Sequence, residues 1–153
     1  VRTRAGTLET RLPTAYVTGY RSVRNADGSA PDGIFTAAWF AFPQGDGQQA
    51  RARITELLRR RIATQPLDLP NAGSVFRNPA GDHAARLIES CGLKGYAVGG
   101  ARVSEKHANF IVNPKGRAKA ADIEAIITHV RAVVRSQTGI DLEPEVQVMG
   151  EGA

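Results

Sequence analysis

The densest run of residues able to do chemistry is Asn71-Ala72-Gly73-Ser74-Val75-Phe76-Arg77-Asn78-Pro79. Gly73 permits an unusual backbone or the close approach of a ligand. Ser74, next to it, carries a hydroxyl that can donate or accept a proton. Asn78 is held extended by the proline that follows. The plainer reading is a structural turn with a serine on it, and spacing alone favours that. Glu143-Pro144-Glu145-Val146 sets a carboxylate at the start of an alternating segment. In a cleft such a group steers protons or stabilises an enolic state; on a surface it is merely solvated. Tyr20-Arg21 closes an early strand, where a guanidinium could hold a carboxylate or phosphate. Ser104-Glu105-Lys106-His107-Ala108-Asn109 gathers polar groups just before an apolar strand and reads equally as a ligand site or a solvated turn.

Other signals are weaker. Gly99-Gly100 lacks the spacing of a dinucleotide or phosphate loop, so packing is its better explanation. His83, His107 and His129 do not follow metal-ligand spacing, no carboxylate cluster accompanies them, and no metal is expected. His129 lies on the last long helix and is expected at the surface. Cys91, the single cysteine, excludes an internal disulfide framework.

The net charge of +5 comes from 20 Lys+Arg against 15 Asp+Glu, and its source is local. Residues 1–64 carry 10 Arg and 5 acids, whereas residues 65–153 carry 10 of each sign. A basic segment suits an anionic partner, but nucleic-acid readers interleave aromatics with their cations, and aromatics are only 6% here. A non-catalytic nucleotide- or nucleic-acid-binding module using this segment is therefore the rival reading.

The elements that must hold these groups follow from patterning. Residues 1–20 read as short strands, 24–33 as loop, and Ile34 to Phe42 as a strand on β-branched and aromatic content. Pro43 to Gly47 breaks the chain, and a domain boundary is placed there. Gln48 to Thr64 is a helix with Ala50, Ile54, Leu57 and Leu58 on one face and arginines on the other. His83 to Cys91 is a short helix with Ala84, Leu87, Ile88 and Cys91 inward, stopped by Gly92. Tyr96 to Val103 and Asn109 to Asn113 read as strands. Ala121 to Thr138 is the clearest helix, with Ile123, Ile126, Ile127, Val130, Val133 and Val134 inward and Gly139 at its end. Glu145 to Met149 reads as a last strand. The order implies an α+β domain over 46–153 and, over 1–45, strands of a different sheet. With 153 residues, 42% hydrophobic and 23% charged, the chain can bury a core. No run reaches the roughly 18–20 apolar residues that span a bilayer. With Val1 first and no signal-peptide pattern after it, a cytoplasmic protein cut from a longer chain is expected.

The order of the motifs resembles the C-terminal half of the UDP-N-acetylenolpyruvoylglucosamine reductase (UDP-N-acetylmuramate dehydrogenase, MurB) family. The resemblance rests on Gly19-Tyr20-Arg21-Ser22, Ile34 to Phe40, Gln65-Pro66-Leu67, Ala72 to Pro79, Leu87-Ile88-Glu89, Gly92 to Gly95, Gly99-Gly100-Ala101, Ser104 to Asn113 and Gly139 to Gly150, covering nearly all of 19–150. It implies an α+β substrate-binding domain over 46–153, preceded over 1–45 by the last strands of a PCMH-type FAD-binding domain whose remainder lies upstream. It implies an NADPH-dependent, FAD-containing enzyme of peptidoglycan precursor synthesis, acting as a monomer, with the enolpyruvyl ether of UDP-N-acetylglucosamine as substrate and neither nucleic acid nor membrane as partner. The fragment alone would be inactive. By the same resemblance Ser74 matches the serine that protonates the substrate, Arg21 the arginine on its carboxylate, and Glu145 the assisting glutamate. Asn78, Gln65, His107, Tyr20 and Gly73 match substrate-contacting positions. Thr64 stands where many relatives have a lysine, with Arg60 or Arg61 as candidate replacements.

Overall fold

In the computed structural model, residues 1–150 are described. The chain divides into two compact units, Val1–Gly45 and Asp46 onward, and each is taken by itself.

The first unit holds four short strands. β1 (Arg2–Thr3) pairs antiparallel with β4 (Gly33–Ile34), and β2 (Tyr16–Gly19) with β3 (Ser22–Asn25) in a hairpin whose register is Gly19 opposite Ser22. Arg11 ties its loops together, bonded to Glu9 at 2.7 Å and to Asp32 at 2.8 Å. Both carboxylates hold the Arg11 proton more tightly than water would, and the guanidinium pKa rises accordingly. No residue of this unit is buried.

The strand expected over Ile34 to Phe42 is confined to its first residue. Beyond Ile34 the backbone finds no partner strand among the described residues, and Trp39 is 82% exposed. β-branched and aromatic residues favour strands because they pack on a pleated, half-buried surface. Without a neighbouring edge or a covering layer, that preference has nothing to act on.

In the second unit, α1 (Gly47–Thr64) starts where the Asp46 carboxylate accepts the N–H of Gln48 at 2.7 Å and of Gln49 at 3.2 Å. This satisfies two of the four donors that a helix start leaves open. Gln65 precedes Pro66, which ends the helix. α1 buries none of its residues.

The core lies entirely after α1. A three-stranded antiparallel sheet, β5 (Ala97–Val98), β6 (Ala101–Val103) and β7 (Ile111–Val112), is ordered β5-β6-β7. α3 (Ala120–Thr138) packs on β5 and β6, and α2 (Ala84–Ser90) on α3. Ile126, Val130 and Val134 repeat at four-residue spacing and are buried, as are Ala84, Leu87 and Ile88 of α2. Gly139 ends α3 in the left-handed region at φ 74°. The Gly99-Gly100 pair is the β5–β6 turn, and a Cβ on Gly100 would stand 2.5 Å from the Ala118 nitrogen. The pair is there for backbone packing against the start of α3. His129 stacks on Tyr96 with ring centroids 4.1 Å apart, so it is half-buried rather than at the surface.

The alternating segment Glu145 to Met149 forms no strand. It joins the fold beside a β-bridge between Phe76 and Pro144, flanked by Arg77 N–H to Glu143 O at 2.9 Å and Glu145 N–H to Val75 O at 2.8 Å, and Val146 packs on the core. Pro144 has no N–H to extend the ladder, and the other edge of Phe76 is already taken by a side chain. That side chain is Asn109, 4% exposed. Its Oδ1 accepts the Phe76 N–H at 2.9 Å, and its Nδ2 donates to the Phe76 carbonyl at 2.8 Å. Its own carbonyl accepts the Val75 N–H at 2.9 Å.

Replacing Asn109 by Ala leaves a donor and an acceptor of buried Phe76 without partners. The cost is expected to be roughly 2–6 kcal/mol, from ~1–3 for each stranded group. Urea denaturation of the chain would measure it, with Ser90→Ala on the exposed end of α2 changing stability by less than ~0.5 kcal/mol as the reference.

Candidate active site

The backbone around Val75 brings several of the sequence-selected residues together. Gly73 takes φ 81°, a region open to glycine and costly for other residues, and its N–H is held by Asn71 Oδ1 at 2.9 Å. This turn delivers the chain into Val75 and Phe76, which are clamped between Asn109 on one edge and residues 143–145 on the other. Ser74 therefore leads directly into the residue whose carbonyl receives the Glu145 N–H. Ser74 and Glu145 are both half-buried, and among the described residues nothing hydrogen-bonds the Ser74 hydroxyl. A short, tied-down backbone of this kind fixes the Ser74 hydroxyl in position without that hydroxyl being used to hold the fold.

A groove of about 390 Å³ lies beside this clamp, lined by Val75, Ile111, Ile123, Ile127, Val146 and Met149 among others, with Asn71, Asn113 and Glu124 supplying polar atoms. Neither Ser74 nor Glu145 lines it. The clamp and the groove meet at Val75, which belongs to both.

His107 is joined to the clamp through Asn109, whose N–H it accepts on Nδ1 at 3.3 Å. Its ring meets Phe110 edge-on at 4.8 Å, and the preceding turn is closed by Ser104 Oγ, which accepts the N–H groups of Lys106 and His107. Burial holds the imidazole below its ordinary value of 6.5. The same turn reaches α1: Lys106 Nζ donates to the Ile62 carbonyl at 2.6 Å, placing a cation on the helix C-terminus. Arg61 Nε donates to Gln65 Oε1 at 3.1 Å. Gln65 thus accepts from Arg61 at the end of α1, next to buried Pro66.

Asn78 stands apart from the clamp. Its Oδ1 accepts the Ala84 N–H at 3.1 Å, giving α2 the cap that the His83 side chain does not supply. Tyr20 and Arg21 belong to the other unit, where they form the two-residue turn of the β2–β3 hairpin. They do not end a strand; they connect two. Arg21 is the non-glycine residue with positive φ, 54°, among the described residues. Such a conformation costs of order 1–3 kcal/mol and tends to mark functional positions. The Arg21 guanidinium lies 6.0 Å from the Tyr20 ring centroid.

Sequence reasoning missed two residues that shape this region. Asn109 was one polar residue among several in its stretch, and nothing local announces a side chain that substitutes for a strand. Lys106 stands 44 residues from Ile62, so no pattern along α1 announces it. No group of three or more metal-ligating residues is assembled among the described residues, and no helix among them is long and apolar enough to cross a membrane.

The lowered affinity of His107 for its proton has a sign. The unfolded chain takes up a proton near pH 6.5 while the folded imidazole stays neutral to lower pH. Stability contributed by His107 is therefore complete above that value and is lost as pH falls from it toward the lower folded pKa. An NMR titration should place the His107 midpoint below 6.5, and His107→Asn should flatten the acid side of the stability profile. A midpoint above 6.5 would refute the burial argument.

With this geometry in hand, the chain can be set beside known proteins. A family model described as UDP-N-acetylenolpyruvoylglucosamine reductase, C-terminal domain, matches residues 65–149. The reductase of that name from Thiobacillus denitrificans is 55% identical over 148 residues, which is 97% of this chain and 45% of the relative. Its counterpart from Nitrosospira multiformis is 52% identical over 167 residues, 98% of this chain and 48% of the relative. The crystal structure of UDP-N-acetylenolpyruvylglucosamine reductase (MurB) from Thermus caldophilus matches with a TM-score of 0.55 at 36% identity, covering 67% of this chain and 35% of that one. The chain spans about half the length of the curated relatives it matches. These matches, the α+β fold and the order of motifs agree: the chain belongs to the UDP-N-acetylenolpyruvoylglucosamine reductase family and carries that family's C-terminal domain.

Proposed function

We propose that this chain is the substrate-binding half of an NADPH-dependent, FAD-containing reductase of peptidoglycan precursor synthesis, one that converts UDP-N-acetylenolpyruvoylglucosamine to UDP-N-acetylmuramate. The observation that carries the reading is the clamp around Val75, which leaves the Ser74 hydroxyl uncommitted on a fixed backbone next to the residue bonded to Glu145. The relatives' names supply the substrate class.

In this reading Ser74 gives its proton to the substrate carbon that becomes electron-rich beside the carboxylate. A serine is a poor acid in water, but a strongly basic carbon within hydrogen-bond reach can take its proton. Arg21 binds the substrate carboxylate, where negative charge grows as the reaction proceeds, so a fixed guanidinium is worth more in the transition state than before it. The left-handed turn at Arg21 supports that role, since the strain persists only where the hairpin holds the residue in place. Glu145 assists at the same carbon. Gly73, Gln65, Asn78, His107 and Tyr20 contribute to binding, with Asn78 also capping α2.

FAD, when bound, supplies the hydride that NADPH provides. The residues of this chain do not themselves make a flavin cradle: Val1–Gly45 buries none of its side chains, and a ring system held away from water needs a buried cleft. The flavin would be held by the portion the relatives carry and this chain does not. On this reading Val1–Gly45 is the end of that domain, the working enzyme is a cytoplasmic monomer, and the fragment by itself is inactive.

The test joins this chain to the remaining portion of the Thiobacillus denitrificans relative and follows NADPH oxidation driven by the enolpyruvyl substrate. Ser74→Ala is expected to lower kcat by ~10²–10⁴, with little change in stability. Full turnover in that variant would remove Ser74 from its role. Arg21→Gly relaxes the left-handed turn while removing the guanidinium. It should leave stability equal or higher and lower kcat/KM by ~10²–10³. Unchanged kcat/KM would leave the strained turn without a function.

A further inference from the structure

Most cations of the second unit's core region are matched within it. Arg77 pairs with Glu143, Arg86 with Asp82, Lys94 with Glu89 and Arg131 with Asp141, while Lys106 is bound to the Ile62 carbonyl. Arg102, Lys115 and Arg117 are the contrast. Among the described residues none of the three has an ion-pair or hydrogen-bond partner for its side chain, and all three are exposed. They nevertheless line one hollow of about 370 Å³, together with Gly99, Gly100 and Pro114. None of the residues given a role toward substrate lines it.

The fold holds these cations in place. Arg102 is the middle residue of β6, with Ala97 opposite it on β5 and buried Val112 opposite it on β7. Ala97 is too small to cover a guanidinium. Lys115 and Arg117 flank Gly116 on the turn after β7, and Asn113 closes that turn twice. Its carbonyl accepts the Gly116 N–H and its Oδ1 the Ala118 N–H, each at 3.1 Å. Gly100 lets the β5–β6 turn pack directly on the same segment, since a Cβ there would meet the Ala118 nitrogen. The Asp122 carboxylate, which borders Gly99, is already engaged by backbone: its Oδ2 accepts the N–H of Lys119 at 2.9 Å and of Gly100 at 3.3 Å, and it does not line the hollow. Three like charges held around one space repel one another, and an anion placed among them replaces that repulsion with attraction.

We propose that the hollow between the β5–β6 turn and the turn after β7 is a binding site for a compact phosphate-bearing anion, of the charge and size of a diphosphate, held by Arg102, Lys115 and Arg117. Guanidinium groups meet phosphate oxygens with paired hydrogen bonds, and an ammonium adds a compact point charge. A tetrahedral phosphate presents oxygens in several directions and can meet three cations from three sides, whereas a planar carboxylate faces one fork. No aromatic residue lines the hollow, so it offers no surface on which a base could stack, and the ligand is held by its phosphates. The site arises in the part of the chain whose charges balance, because what matters is which cations are left unmatched and where the fold gathers them. The inference uses nothing of the reductase chemistry, so either can fail without the other.

The experiment titrates the 153-residue chain with inorganic diphosphate, followed by calorimetry and by amide NMR shifts. Saturable binding is expected, with the largest shifts at Gly99, Gly100 and Gly116, and roughly tenfold tighter for diphosphate than for acetate. Lys115 and Arg117 lie outside any strand or helix. Lys115→Ala and Arg117→Ala should therefore fold as the parent does, with the same urea midpoint, and each should weaken binding about tenfold or more. Arg102→Ala should do the same. Arg59→Ala removes an equal charge from exposed α1, outside the hollow, and should change binding by less than about twofold. Weakening by Arg59→Ala as large as by the other three would mean attraction to net charge alone and would overturn the proposal. So would full-strength binding by Lys115→Ala and Arg117→Ala, or shifts confined to the clamp around Val75. A single-stranded oligonucleotide or anionic phospholipid vesicles that bound through Arg102, Lys115 and Arg117 more tightly than diphosphate would equally refute it, since the ligand would then be extended rather than compact.

Discussion

The two bonds between the Asn109 amide and the backbone of Phe76 are what the site depends on. They satisfy a buried donor and a buried acceptor at once, in a place where no strand is available to do so. With that edge closed, the opposite edge of the segment is left for residues 143–145, and the Val75–Glu145 and Arg77–Glu143 bonds follow. An Asn can do this because its side chain carries one donor and one acceptor at the spacing of a peptide group. No other side chain except Gln offers the same pair, and Gln is one carbon too long for a cavity shaped around Asn.

Function and packing are divided between neighbours along this segment. Phe76, 2% exposed, holds the segment in the core, while Ser74 two residues earlier keeps its hydroxyl out of the hydrogen-bond network. Asn78 two residues later caps α2. In the proposed function, the segment is anchored on both sides of Ser74 by groups other than the reactive one, and a reactive group positioned by rigid neighbours loses little entropy on meeting a substrate. Arg21 follows a different logic: it is held at a hairpin tip in a conformation that costs energy, with the two paired strands on either side enforcing it.

The two halves of the chain differ in a way their composition hides. Residues 1–64 contain Trp39, Phe40, Phe42 and the apolar stripe of α1, yet bury nothing, whereas every buried residue among those described lies beyond them. Apolar content measures what a segment can bury, not what it does bury. The excess of positive charge falls in the same region, and part of it is already committed within the chain, as with Arg11 between Glu9 and Asp32.

Much was legible in the residues themselves. The three helices, the stops at Pro66, Gly92 and Gly139, and the inward faces of α2 and α3 follow from local spacing and from side chains that act on their own turn of helix. The motif order around Gly73-Ser74 and Ser104 to Asn113 carried the family, because its residues are few, specific and in fixed sequence. The strand expected at 34–42 stops at Ile34 and the one expected at 145–149 does not form, since a strand exists only where another edge meets it, and no residue in those segments says whether one will. The pairing of Asn109 with Phe76, of Lys106 with the end of α1 and of Val75 with Glu145 lay equally beyond the sequence. Each joins groups far apart along the chain, and which of them meet is decided only when the core of α2, α3 and the sheet has closed.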